Sequence, residues 1–228
     1  MTFIALDTST EQLSLALSTP DGVVARDWQA GQRHAEHTLP YLEAFLAEHG
    51  VARSQIKGVA YGMGPGSFTG LRIACGLAQG LAFGLGVPVV GVSTLEALAA
   101  QAPAGQDRVY ACLDARMNQV YCAAYRRSGD GWQEVTPPTL ADPDAVPQPE
   151  GNGWLGLGSG FAAYADALQG RLGAHLSATH GEALPRAAEM LALALPRFAA
   201  GLGVPPHDAP LVYLRDKVAL KTHERVKK

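Results

Sequence analysis

The chain has no basic surplus. Its 18 Lys and Arg residues stand against 21 Asp and Glu, a formal net charge of −3, which speaks against a generic nucleic-acid or membrane-surface binder, since those carry a basic excess or a basic face. Cysteine is scarce as well. Cys75, Cys112 and Cys122 are odd in number, sit in apolar runs and never form C-x-x-C, so the expectation is reduced core thiols in a cytoplasmic protein and no disulfide framework. No leader is expected, because Met1-Thr2-Phe3-Ile4 opens directly into a strand-like pattern with Asp7 close behind. The uncharged run from Ile73 to Leu95 is 23 residues long, enough to cross a bilayer, but five glycines and Pro88 interrupt it. It reads as a helix, a turn and a buried strand, with no membrane span. Positive charge gathers only at the end. From Leu211 on, Arg215, Lys217, Lys221, Arg225, Lys227 and Lys228 meet only Asp216 and Glu224, giving +4 on the tail and −7 elsewhere. A solvated terminus and a contact to RNA or an acidic partner are both open there.

Apolar residues make up 47% of the 228 residues, which suits a globular protein of one or two domains. Their pattern is α/β. Phe3–Leu6, Leu13–Ser18 and Val23–Trp28 read as strands, with a hairpin turn between the last two. Leu39, Leu42, Phe45 and Leu46 fall on one helical stripe ended by Gly50. Thr38 would cap that helix with Pro40 in its first turn; a start near His34 would make Pro40 a kink. Strand Ile56–Tyr61, helix Phe68–Leu85 and strand Val87–Val92 follow, and Ser93 to Glu96 has the spacing of a capping box.

The second half echoes the first. "ALDTSTEQLSLAL" (5–17) lines up without gaps on "CLDARMNQVYCAA" (112–124), and "YGMGPGSF" resembles "LGLGSGF" (155–161). Thr136 to Pro149 holds five prolines and reads as an irregular loop in place of a helix. The boundary falls near Pro103–Gln106, giving lobes 1–104 and 105–228, with packing of the tail 205–228 back on the first lobe left open. Three hairpin strands, helix, strand, helix, strand, repeated, is the plan of two-lobed actin-like, ribonuclease H-like (ASKHA) proteins, here with a degenerate second lobe.

In that plan the β1–β2 turn of each half clamps a phosphate and its metal. Asp7-Thr8-Ser9-Thr10 would serve. Asp114, followed by Ala115-Arg116-Met117 and no glycine, would not. The stretch Gly62 to Arg72, with Gly64, Pro65, Gly66, Ser67 and Thr69, resembles a phosphate loop feeding a helix. However, it has no lysine for a P-loop, and Thr69 occupies the place of the third glycine in a dinucleotide fingerprint. Two readings remain, a weak anion site at the helix start or a tight turn capped by Ser67 or Thr69, and the second is favoured.

"LDTSTEQLSLAL", "GMGPGSFTGLRIACGLAQGLA", "PVVGVSTLEALA", "LDARMNQVY" and "PLVYLR" resemble, in order and from end to end, the bacterial TsaB (YeaZ) family. The resemblance implies an actin-like fold and a non-catalytic subunit of the tRNA threonylcarbamoyladenosine machinery. In that machinery a TsaD subunit modifies the adenosine beside the anticodon and TsaE is an ATPase partner. TsaD-like proteins carry His-x-x-x-His for their metal; the corresponding residues here are Thr94 and Leu98, so no metal and no cofactor are expected. His34 fits the family's His-x-x-x-x-Leu-Pro pattern. His34 and His37 at i,i+3 lack an evident third ligand, and no Ser/His/Asp or Cys/His set stands out. The rival reading is an enzyme, either a degenerate actin-like ATPase or kinase or a metallopeptidase-like protein.

Gly76, Gly80 and Gly84 recur every four residues along one helical face. With Ile73, Leu77 and Phe83 beside them, and Leu39, Leu42, Phe45 and Leu46 from the first helix, they form a candidate interface for a TsaD-like subunit. A homodimer through the same face is the alternative partner, and tRNA is reached only through the complex. The bland alternative is that Leu39, Leu42 and Leu46 fill the glycine groove within one chain.

Overall fold

A computed structural model describes residues 1–129 and 131–215. Lys217, Lys221, Arg225, Lys227 and Lys228, the greater part of the basic tail, lie outside the described residues. The first half contains β1 (Thr2–Asp7), β2 (Gln12–Thr19), β3 (Gly22–Gln29), α1 (His34–Glu48), β4 (Ile56–Gly64), α2 (Phe68–Leu85), β5 (Val89–Ser93) and α3 (Thr94–Ala99). The second contains β6 (Arg108–Arg116), β7 (Gln119–Ser128), β8 (Gly131–Ala141), β9 (Trp154–Leu157), α4 (Gly160–Ala163), α5 (Ala165–Leu172), β10 (Leu176–His180) and α6 (Ala187–Ala199).

The strands form two sheets of the same plan. One runs β3-β2-β1-β4-β5 and the other β8-β7-β6-β9-β10; in each, two hairpin connections are followed by two parallel neighbours. The duplication seen in the sequence is therefore one of topology, but its gapless alignment fails at the turn. Asp7 pairs with Ser14, whereas Asp114 pairs with Val120 and Leu113 with Tyr121. The second turn is thus one residue shorter. Because strand side chains alternate, the shift moves every β7 equivalent to the opposite face. The tighter turn is made by Arg116, Met117 and Asn118, all with φ near +60°.

Apolar faces of these strands fix the layers. Leu13, Leu15 and Leu17 of β2 point with Ile4 and Leu6 toward α1 and α2. On the other face, Ala5, Ala16 and Ala60 are small enough for α6 to lie on the sheet through Met190, Leu191 and Ala194. α3 sits against β6, and its Leu95 and Leu98 join Val109, Ala111 and Leu113 of the second sheet. The far face of that sheet is closed by Phe161, Leu168 and Leu172 over Tyr110, Cys112 and Trp154. After α6 the chain returns along the first half: Val204 bridges Val89, Gln79 donates to Pro206 O, Tyr61 to Pro210 O, and Val212 N to Met63 O.

Of the two starts left open for α1 the earlier one holds, and the reading of the proline-rich segment needs correction. α1 begins at His34, so Pro40 lies inside it, and Thr38 is no cap: its hydroxyl donates to His34 O at 2.6 Å. The start is set from a distance, by His34 Nε2 donating to Thr10 O at 2.7 Å. The proline-rich segment is not loop throughout, since β8 runs through Pro137 and Pro138 to Ala141. β8 pairs on one side only, with β7, and the ladder skips between Thr136 and Thr139, so the missing N–H groups fall at an edge and a bulge.

One buried hydroxyl joins α6 to the sheet. Ser14 Oγ accepts from Ala187 N at 2.7 Å, at the first turn of α6, and donates to Asp27 Oδ1 at 2.5 Å. Ser14→Ala leaves both groups without their partner and is expected to lower the unfolding free energy by about 2 kcal/mol. Urea unfolding monitored by circular dichroism measures it; an unchanged midpoint would show that α6 is held by packing alone.

Candidate functional site

The glycine loop closes over the β1–β2 turn of its own chain. A Cβ at Gly62 would overlap the Asp7 carboxylate, one at Gly66 would come 2.8 Å from Ser9 O, and one at Gly70 would overlap Thr8 O. Gly64 has φ +110°, and a Cβ there would be 2.6 Å from Val212 O. Ser67 N donates to Ser9 O at 2.8 Å, Thr8 Oγ1 to Gly70 O at 2.7 Å, and Thr94 Oγ1 to Pro65 O at 2.5 Å. Ser67 is the cap of α2, accepting from Gly70 N, while Thr69 is exposed. The space in which a phosphate would approach this backbone is filled by the turn.

Asp7 lies beneath this contact, 1% exposed. Its Oδ2 accepts from Ser9 N and Ser9 Oγ, and its Oδ1 has no hydrogen-bond partner among the described residues. Burial pushes the carboxyl up to about 7 against the opposing effect of the Ser9 bonds. A side chain so enclosed cannot hold a metal through water, so the role that the sequence left open for Asp7 does not fit. Asp114 is engaged as well. It accepts from Arg116 N at 2.7 Å and from Tyr164 Oη at 3.2 Å, and it pairs with the Arg116 guanidinium at 3.1 Å.

The remaining candidate ligands are drawn apart. Thr94 is buried with its hydroxyl committed to Pro65, and Leu98 is a core residue without a donor atom. His34 is buried against Thr10, whereas His37 stacks on Tyr41 at 5.0 Å between ring centroids. These residues do not fit a metal or a nucleotide phosphate.

The α1–α2 stripe divides in two. Leu42, Phe45 and Leu46 are core residues, 1–2% exposed, packed with Ala74, Cys75 and Ala78. They are thereby withdrawn from the candidate interface: periodicity identified the helix but not the inward direction of these three. Ile73 and Leu77 are half-buried, Leu39 is 49% and Phe83 81% exposed. Gly76, Gly80 and Gly84 lie on the exposed side, and among the described residues no atom lies within 4 Å of the position a Cβ would take. The groove is not filled by the leucines of α1. α2 is long and apolar enough to cross a membrane by length and composition, but Gly70, Leu71, Ala74, Cys75, Ala78 and Ala82 bury one side of it. At its start, Phe68 and Arg72 meet Tyr213 of the tail, a cluster missed in the sequence because its members are far apart along the chain.

Comparison with known proteins places the chain among close relatives. Residues 8–221 match the family model described as TsaD, tRNA N6-adenosine threonylcarbamoyltransferase. The tRNA threonylcarbamoyladenosine biosynthesis protein TsaB of Escherichia coli (strain K12) is 40% identical, over 97% of this chain and 97% of that protein. The protein of the same name from Haemophilus influenzae is 35% identical, over 97% and 96%. A solved structure of YeaZ from Pseudomonas aeruginosa superposes with a TM-score of 0.86 at 38% identity, covering 93% of this chain and 99% of that one.

The buried Asp7 makes a pH-dependent prediction. With its folded value raised from 3.8 to about 7, the folded chain keeps a proton that the unfolded chain has lost. The contribution to stability is full below about pH 4 and is lost as the pH rises through about 7, on the order of 4 kcal/mol in all. Asp7→Asn has no such proton, so the variant should gain stability relative to the parent from pH 4 to pH 8. Urea unfolding of both proteins across that range gives the difference, and a flat difference would contradict the assignment.

Proposed function

The chain belongs to the TsaB (YeaZ) family and functions in tRNA threonylcarbamoyladenosine biosynthesis, and we propose that it does so as a non-catalytic subunit whose α1–α2 face binds and orders a TsaD-like catalytic subunit. The observation that carries this reading is the open backbone along Gly76, Gly80 and Gly84 of α2, with Phe83 of the same helix and Leu39 of α1 exposed. Three glycines in one helix disfavour it by about 1 kcal/mol each relative to alanine. A helix laid into that groove offsets the loss by close backbone approach; the steric argument is known best from membranes but holds in water.

The same reading accounts for the interior. Asp7 is enclosed, Asp114 pairs with its own neighbour, and Thr94 and Leu98 stand where a metal would need imidazoles, which supports an accessory part over an ATPase, kinase or metallopeptidase. A TsaE-like ATPase joins in the assembled complex, tRNA is met through that complex in the cytoplasm, and a homodimer uses the same face when the partner is absent. The lobes divide near residue 104. The return of residues 204–212 along β5 and β4 supports packing of the tail on the first lobe.

Gly80→Arg places an unpaired charge in the proposed contact and should weaken binding to the TsaD-like subunit by more than about a hundredfold with the fold intact. Calorimetry and circular dichroism test it together; a folded variant that binds as the parent does would refute the interface. The purified chain alone should show no threonylcarbamoyl transfer and negligible ATP turnover, and sustained turnover abolished by Asp7→Ala would overturn the non-catalytic reading.

A further inference from the structure

Asp7 is buried in a place that suits a carboxylic acid better than a carboxylate. Ser9 engages its Oδ2 twice, while its Oδ1 is enclosed and has no hydrogen-bond partner among the described residues. Gly62 covers Oδ1 so closely that a Cβ there would overlap it, and Met190 of α6 closes the same spot, its Cε 3.1 Å from where that Cβ would stand. Water has no room at Oδ1 while the loop is down. A neutral carboxyl tolerates this enclosure, whereas a buried charge calls for a donor or for water.

The groups packed around Asp7 do not supply that donor. Burial pushes its carboxyl up to about 7 against the Ser9 bonds, and the charge of Asp27 on β3 adds to the rise. Ser14 of β2 and Met190 of α6 are neutral, and Arg186 and Glu189 at the start of α6 pair with each other at 2.5 Å. His34 of α1 meets the same turn three residues on, at Thr10 O. The segment that covers Asp7 leads straight into α2. Ser67, the cap of that helix, donates its N–H to Ser9 O, and Gly70 O in its first turn accepts from Thr8 Oγ1. Lifting Gly62 to admit water at Oδ1 loosens these bonds, and with them the hold on the helix that carries Gly76, Gly80 and Gly84.

We infer that Asp7 is a positioning residue that works as a proton latch: protonated, it lets the glycine loop close and hold α2 in its docking orientation, and ionised, it makes the loop lift. In the lifted form water reaches the carboxyl and returns it toward its ordinary value of 3.8, so the closed form holds the extra proton. Closure is favoured fully below about pH 4 and loses that advantage as the pH rises through about 7. Docking on the α1–α2 face is thereby linked to proton uptake, for a TsaD-like subunit and for a second copy of the chain alike. The inference rests on the docking role proposed above and adds its regulation.

Two measurements on the full chain test this. Amide hydrogen exchange of the free chain reads the latch without a partner. Opening at the Ser67 and Gly70 amides, corrected for the intrinsic rate, should rise about tenfold from pH 5 to pH 6 in the parent and stay level in Asp7→Asn, at lower protection than Leu15 in β2. A flat parent profile overturns the latch, as does the same slope in both proteins. Calorimetry in buffers of different ionisation enthalpy then counts protons on binding to the TsaD-like subunit. At pH 7 the parent should take up about half a proton more than Asp7→Asn, and from pH 6 to pH 8 its affinity should fall about tenfold more. Equal proton counts in the two proteins would overturn the link to docking. If Gly80→Arg binds like the parent, the docking face is wrong and the link falls with it, while loop exchange in the free chain still decides the latch.

Discussion

At Gly62, Gly66 and Gly70 the end of β4 and the start of α2 come so close to the β1–β2 turn that no side chain fits between them. That approach joins three parts of the first half at one point. Thr8 and Ser9 bind the backbone of Gly70 and Ser67, Asp7 is sealed below, and Thr94 at the start of α3 takes up the carbonyl of Pro65. The direction of α2 follows from it, because the helix leaves from a first turn that is pinned on two sides. So does the closing of the loop backbone to a phosphate. A backbone free to meet a phosphate must face open space, and here it faces its own chain.

α6 carries the consequences across the molecule. It comes late in the sequence but packs on the first sheet, where Ala5, Ala16 and Ala60 leave room and Ser14 receives its first turn. Arg197 of α6 pairs with Glu96 of α3 at 2.5 Å, and α3 in turn rests on β6 of the second sheet. The two sheets are therefore linked through helices that each touch a sheet of the other half. The chain then passes over Gly64, sets Tyr213 on Phe68 and Leu214 against the core of the second sheet, and Arg215 donates to Arg116 O and Gln119 Oε1.

Much of this was legible in the sequence where the signal is local. The bounds of α2 read as Phe68–Leu85, with Ser67 as one of two caps offered, and the turn between β2 and β3 reads as a hairpin. What escaped depends on residues far apart. The sequence leaves two starts open for α1, a cap at Thr38 or a start near His34, and the bond from His34 to Thr10 that accompanies the earlier one joins residues far apart in sequence. The prolines of β8 are tolerated because it lies at a sheet edge, a property of topology and not of the segment. The shortened β6–β7 turn was hidden by identities that a gapless comparison preserved on the wrong faces. Asp7 invited a functional reading because a carboxylate beside small residues looks the same in a sequence whether it faces a ligand or a glycine.

The glycines of the opening loop and of α2 separate into two classes by what surrounds them. Gly62, Gly66 and Gly70 are required by the chain itself, since its own atoms stand where their side chains would go. Gly76, Gly80 and Gly84 are not, since nothing among the described residues approaches them. A glycine with a neighbour is explained by folding; one without a neighbour, inside a helix that alanine would stabilise, is not. The first class belongs to the joint between the glycine loop and the β1–β2 turn, and the second lies along the open side of α2. The boundary between the classes falls at Arg72, the single charge on α2, where the interior packing of the helix start gives way to its open face.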